Sequence, residues 1–171
     1  MNIVFNNKWF KVIERWNPDG SSYFIKHENH KVAILPYWFD GKDIKIYTLI
    51  EPISNWGSKN EATCVTGTIE KGDEHFETAV RELQEEIGFH VHDEEKWDFV
   101  GEFGVDKGQT AKRYLYLVDV FQSEIKGRPT DGSYFEKKTK VVLSGLNVKH
   151  TSKDIVLHYL ISKLEEKIKE S

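Results

Sequence analysis

Gly67–Phe89 reads GTIEKGDEHFETAVRELQEEIGF, and its decisive part is Arg81-Glu82-Leu83-Gln84-Glu85-Glu86-Ile87-Gly88. The three glutamates stand at i, i+3 and i+4. On a helix those spacings put Glu82, Glu85 and Glu86 on neighbouring positions of one face. Like charges so close repel, so the arrangement adds nothing to helix stability. A cation is expected there, and clustered hard oxygen ligands suit Mg²⁺ or Mn²⁺. Phe76, Val80, Leu83 and Ile87 recur at helical spacing as a core-facing stripe. Gly88 follows the last apolar residue and can take the positive φ that ends a helix. The spacing predicts a helix from about Glu74 to Ile87, with Asp73 as its N-cap. An ordinary solvated acidic face is the alternative reading of an isolated Glu-x-x-Glu-Glu.

The segment resembles the Nudix box: a glycine, five residues, Glu, seven residues, Arg-Glu, an aliphatic residue, any residue, Glu-Glu, any residue, Gly and an aliphatic residue. Gly67, Arg81-Glu82-Leu83, Glu85-Glu86 and Gly88 fall on their required positions. Asp73 stands where the family has Glu, and Phe89 where an aliphatic residue is usual. Cys64-Val65-Thr66-Gly67 replaces the usual Leu-Pro-Gly-Gly. The resemblance implies metal-dependent hydrolysis of a nucleoside diphosphate linked to another group. It implies Glu82, Glu85, Glu86 and the carbonyl of Gly67 as metal ligands, with Arg81 orienting the carboxylates. In some relatives the general base is a box glutamate, and in others it comes from a later loop. Glu136 is the best later candidate here and Glu102 the runner-up, while a charged surface loop is the plainer reading of Glu136.

The rest of the chain bounds that reading. At 171 residues it fits one domain, with a hairpin extension over 1–30 and the box loop and helix over 67–89. Hydrophobic residues at 39% and charged residues at 30% are those of a globular protein. A formal net charge of −4 argues against long nucleic acid as a partner. Cys64 is the single cysteine, so no disulfide forms within the chain. That suits a reducing compartment and a cytoplasmic location, with Cys64 read as a small buried hydrophobe. No segment has the apolar length to cross a bilayer, and the first residues lack the pattern of a signal peptide.

Along the chain, Lys8–Glu14 and Ser22–His27 read as strands joined by the turn Asn17-Pro18-Asp19-Gly20. Lys31–Trp38 (KVAILPYW) reads as a buried strand and Ile44–Ile50 as the next. Glu51–Glu61 reads as a loop, and Thr63–Thr66 as a short strand leading into the box. Trp97–Gly104 and Arg113–Phe121 read as strands, the second central because it is apolar on both faces. Lys126–Lys138 reads as a polar loop and Lys140–Leu143 as a strand. Thr151–Lys169 reads as a final helix with Ser152 as its N-cap. The class is α+β. The Nudix resemblance sharpens this to an α/β/α sandwich with a mixed sheet, plus an N-terminal β-hairpin. That hairpin resembles the added strands of ADP-ribose pyrophosphatases, where such strands often help form a homodimer.

A flat base needs an aromatic platform. Of Tyr37, Trp38, Trp56, Phe103, Tyr134 and Phe135, Trp56 and Tyr134 lie in expected loops and are the substrate-binding candidates. For any single ring, core packing is the plainer reading. Lys107, Lys112, Arg113 and Arg128 can hold phosphates without the sequence ranking them. The histidines show no paired metal spacing, and His90-Val91-His92 reads as exposed residues after the helix. The leading substrate is a small nucleotide derivative such as ADP-ribose or a sugar nucleotide. Nucleoside triphosphates or RNA 5′ ends form a second enzymatic reading. A non-catalytic nucleotide-binding sensor or scaffold is a third, weakened because all three box glutamates are present.

Overall fold

A computed structural model describes residues 2–39, 41–53, 56–104, 106–123, 125–126 and 139–170. Among these, ten strands form two sheets. The smaller joins β1 (Asn2–Asn6), β2 (Phe10–Trp16) and β3 (Ser22–Glu28) in that order, all antiparallel. The expected hairpin is β2–β3, turned at Asn17–Gly20, where the Gly20 amide donates to the Asn17 carbonyl at 3.0 Å. β1 was not legible, and it makes the extension a sheet of its own.

The larger sheet contains β4 (Lys31–Phe39), β5 (Ile44–Ile53), β6 (Ser58–Thr63), β7 (Val65–Thr68), β8 (Trp97–Gly104), β9 (Lys112–Asp119) and β10 (Lys140–Ser144). Its main path runs β10-β5-β4-β9-β8, with β6 paired to β5 and β7 to β4. Only β4 and β9 are parallel among these pairs, so the sheet is mixed. One edge of β4 has two partners. Residues 31–34 pair with β7, and residues 37–39 pair with β5. Leu35 and Pro36 have no register partner on that edge, so the proline sits where the sheet changes partners.

Two helices cover the sheet: α1 (His75–Ile87) on one face and α2 (Ile155–Glu170) on the other. Alternation along β4 and β9 builds both cores. Val32, Ile34, Tyr116 and Val118 pack with Val80, Leu83 and Ile87 of α1. Ala33, Leu35, Leu115 and Leu117 pack with Leu157, Leu160, Ile161 and Leu164 of α2. This is why KVAILPYW and RYLYLVDVF are apolar at nearly every position. The α/β/α sandwich expected from the sequence is the observed fold.

Several boundaries differ. β5 runs to Ile53 and β6 begins at Ser58, so much of the expected Glu51–Glu61 loop is paired strand. β7 includes Gly67, which therefore lies in a strand rather than a loop. The N-cap of α1 is Glu74, without a side-chain capping bond, not Asp73. α2 starts at Ile155 rather than Thr151, because residues 152–154 form the turn that leads into it, after a separate 3₁₀ turn over Leu146–His150. Asp154 rather than Ser152 caps α2, its Oδ1 accepting from the Val156 amide at 2.9 Å. Gly88 ends α1 as expected: at φ +96° its amide donates to the carbonyls of Gln84 (2.9 Å) and Leu83 (3.2 Å).

Candidate active site

The acidic helix meets the sheet at Gly67. β7 hydrogen-bonds to β4 there, with Gly67 opposite Val32. A methyl group on Gly67 would overlap Cγ, Cδ and Oε1 of Glu82. The missing side chain is thus the space in which the Glu82 carboxylate lies. The Glu82 side chain is only 13% exposed, whereas that of Glu85 is 38% exposed. Burial pushes the Glu82 carboxyl up to about 7. The Arg81 guanidinium opposes that rise, and the neighbouring charges of Glu85 and Glu86 add to it. Arg81 Nη1 lies 3.0 Å from Glu82 Oε1 and 3.2 Å from Glu85 Oε2. It therefore bridges two of the three box carboxylates, as an orienting residue should. Among the described residues no ion pair joins Arg81 to Asp73.

A buried carboxylate crowded by two others is a poor resting state for a protein on its own. It is a good one for a divalent cation, which favours ionised oxygen ligands. The donor set therefore fits Mg²⁺ or Mn²⁺. Among the described residues no three His, Cys, Asp or Glu side chains are already gathered as a metal cage.

Thr66, the residue before Gly67, lines a cleft of about 660 Å³ on the α2 side of the sheet. Glu51 and Ile53 of β5, Thr63 of β6, Phe103 of β8, Arg113 of β9 and Tyr159 of α2 line it as well. Trp56, weighed from the sequence as a substrate-binding residue, lines this cleft and is 41% exposed. Lys153 Nζ donates to its carbonyl at 3.1 Å. The Phe103 and Tyr159 rings meet edge to face at 5.1 Å. Of the cations weighed from the sequence, Arg113 is the one among the described residues that lines the cleft, and Arg128 lies outside the described residues. Glu136 and Tyr134 lie outside the described residues. Glu102 is held 2.5 Å from Lys112 Nζ, which keeps its carboxyl below the usual range.

Sequence reasoning missed Glu51, Lys153, Asp154 and Tyr159 as cleft residues. No local spacing marks them, because they come from β5 and from the start of α2. The short run Ser152-Lys153-Asp154 is tied by two bonds to β6 and by a third to Cys64 just after it. Ser152 Oγ donates to the Ala62 carbonyl at 2.7 Å, the Lys153 amide to Glu61 Oε1 at 2.6 Å, and the Cys64 amide to Asp154 Oδ2 at 3.3 Å. Cys64 is 1% exposed, and burial beside Asp154 pushes its thiol well above the usual range. That makes it an inert hydrophobe rather than a nucleophile. His90 is half-buried rather than exposed, its Nδ1 lying 2.7 Å from Gln84 Oε1.

Comparison with known proteins agrees with this architecture. A family model described as NUDIX domain matches residues 31–140. A solved structure described as "Crystal structure of ADP compounds hydrolase" superposes with a TM-score of 0.68. The match covers 97% of this chain and 92% of that one, at 14% identity, so the likeness speaks for the fold. No curated protein matches by sequence.

Proposed function

We propose a substrate, a metal site and an assembly for this chain, which belongs to the Nudix family and is a pyrophosphohydrolase acting on phosphoanhydride bonds. The substrate is a nucleoside diphosphate derivative, such as ADP-ribose or a sugar nucleotide. The reaction is metal-dependent cleavage of its pyrophosphate. The observation that carries this reading is Glu82, buried among like charges and seated against Gly67, whose chain neighbour Thr66 lines an aromatic cleft on the α2 side of the sheet.

Glu82, Glu85, Glu86 and the Gly67 carbonyl would hold Mg²⁺ or Mn²⁺. A divalent cation supplies charge neutralisation at the phosphates and a lowered pKa for bound water. Arg81 keeps Glu82 and Glu85 aimed at one place. Arg113 offers a planar, always-charged guanidinium to a phosphate oxygen. Trp56 gives the base or sugar a flat wall, and Tyr134 is the second residue assigned to bind substrate. Glu136 is the carboxylate assigned to accept a proton from the attacking water. The single buried cysteine supports a cytoplasmic location. No helix of the described residues is long and apolar enough to cross a membrane.

A panel of ADP-ribose, sugar nucleotides, dinucleoside polyphosphates, nucleoside triphosphates and 5′-triphosphate RNA tests the reading, run with Mg²⁺ and with chelator. We expect chelator-sensitive cleavage of nucleoside diphosphate derivatives, and Glu86→Gln to lower turnover by about 10²-fold or more while the protein stays folded. Normal turnover in folded Glu86→Gln protein would sink the metal-site assignment. Preferred cleavage of triphosphates or RNA ends would move the substrate to the second reading. Tight binding of the panel without cleavage would move it to a sensor.

The N-terminal sheet supports a homodimer. Ile3, Phe5, Trp9, Trp16 and Phe24 are each about half exposed or more, and Trp9 reaches 71%. Ile13 is the one buried hydrophobic residue among the described residues of its three strands. So much aromatic surface on one small sheet marks an interface rather than scattered exposure. We expect sedimentation at micromolar concentration to give twice the chain mass, and Trp16→Glu with Phe24→Glu to give the monomer. A monomeric wild-type protein would overturn the assignment.

A further inference from the structure

The cleft beside Gly67 holds two basic residues, Arg113 and Lys153, and two acidic ones, Glu51 and Asp154. Most of these are already committed. Asp154 caps α2 and accepts from the Cys64 amide. Lys153 Nζ donates to the Trp56 carbonyl. Glu51 is different. The Thr63 hydroxyl donates to its Oε1 at 2.8 Å, and among the described residues no ion pair involves it. A carboxylate offers about four acceptor positions, and one hydroxyl uses one of them.

Glu51 also stands directly opposite Glu61 in the β5–β6 register. Partners in an antiparallel pair share a face, so two carboxylates sit side by side, and like charges so placed are unfavourable. Glu61 is 4% exposed and accepts from the Lys153 amide. Two carboxylates against the one ammonium of Lys153 leave this end of the cleft with an excess of negative charge and rich in acceptors. It repels a phosphate and favours a group that donates hydrogen bonds. The edge-to-face rings of Phe103 and Tyr159 add a flat apolar wall suited to a sugar ring.

We infer that Glu51 is a specificity residue of the hydrolase proposed above: it receives hydroxyl groups of an uncharged sugar beyond the second phosphate and excludes a bare phosphate chain. The inference rests on the hydrolase reading. It goes further in assigning the choice between sugar nucleotide and triphosphate to one carboxylate.

Glu51→Gln tests it. The amide oxygen can still accept from Thr63, so the local fold is retained while the charge is removed. Measured on ADP-ribose and ATP with Mg²⁺, the ratio of kcat/KM for ADP-ribose over ATP should fall about tenfold or more, the range expected when a charge-assisted hydrogen bond is lost. Glu51→Lys should move the ratio further in the same direction, which loss of folding could not do. An unchanged ratio in both variants, or equal losses on both substrates, overturns the role of Glu51 and leaves the hydrolase reading standing. A wild-type enzyme that cleaves ATP but not ADP-ribose does the same. A folded wild-type protein that cleaves neither overturns the hydrolase reading and this inference with it.

Discussion

Glu82→Gln is expected to lower turnover by roughly 10³-fold and, at pH 8 without metal, to make the protein more stable than wild type. The two effects share one cause. Glu82 is mostly buried beside two other glutamates, and its carboxyl is raised from 4.5 to about 7. Below about pH 4.5 the group is protonated in both the folded and the unfolded chain, and the site costs nothing. Above about pH 7 it is ionised in both, and the folded state carries the whole penalty. The penalty grows as pH rises between those limits. Glutamine removes it, so the stability difference between variant and wild type should be small near pH 4.5 and largest near pH 8. The catalytic loss follows from removing an ionised oxygen from the site proposed to hold a divalent cation. Such a cation is worth several kcal/mol of transition-state stabilisation. Mg²⁺ should raise the stability of wild type more than that of the variant, because it binds only the folded form. Denaturant melts at two pH values, with and without Mg²⁺, check the stability half, and steady-state kinetics check the other. A variant less stable than wild type at pH 8 would mean that the Arg81 ion pair outweighs burial and crowding.

Much of this arrangement was legible in the sequence, and the parts that were not share a physical reason. α1 announced itself through a local code: an apolar stripe at helical spacing, carboxylates on the other face, and Gly88 at its end. β4 and β9 announced themselves as apolar runs because each is buried on both faces. β6 did not. Its sequence, SKNEAT, is polar, and its pairing with β5 places Glu61 opposite Glu51, which no propensity favours. The tie of Glu61 to the start of α2, 92 residues along the chain, is a long-range bond that local reasoning does not see. The same holds for the cap of α2. Ser152 had the right residue type, but its hydroxyl, which donates to the Ala62 carbonyl, accepts from the Asp154 amide just before the helix, and Asp154 takes the capping position.

The site divides along the same line. The half proposed to bind metal is one helix and one glycine, so its pattern lies in local spacing. The half proposed to bind substrate is assembled from β5, β6, β8, β9 and α2, so only folding brings it together. Trp56, which lines the cleft, was singled out because an aromatic residue in an expected loop has few structural uses. Glu51 was passed over because the segment it begins looked like a polar loop.

Gly67→Ala is expected to abolish most activity while leaving the fold in place. The glycine is not required for its backbone angles. It belongs to β7, paired with Val32, in a strand any residue could join. It is required for space, because a methyl group there would coincide with the Glu82 side chain. Interiors are close-packed, so the overlap must be relieved by moving the helix, the strand or the glutamate. The strand is held on the β4 ladder, and Leu83 of α1 is fully buried. The Glu82 side chain is the part free to leave. Its departure removes a proposed ligand and leaves Arg81 with Glu85 as its remaining box partner. Turnover should fall about 10²-fold or more, close to the effect of losing the Glu82 carboxylate itself. The decisive comparison is a double-mutant cycle. If Gly67 acts through Glu82, adding Gly67→Ala to Glu82→Gln should lower turnover little further, because the carboxylate it displaces is already gone. Fully additive losses would show that Gly67 serves the reaction by another route, such as its own carbonyl oxygen.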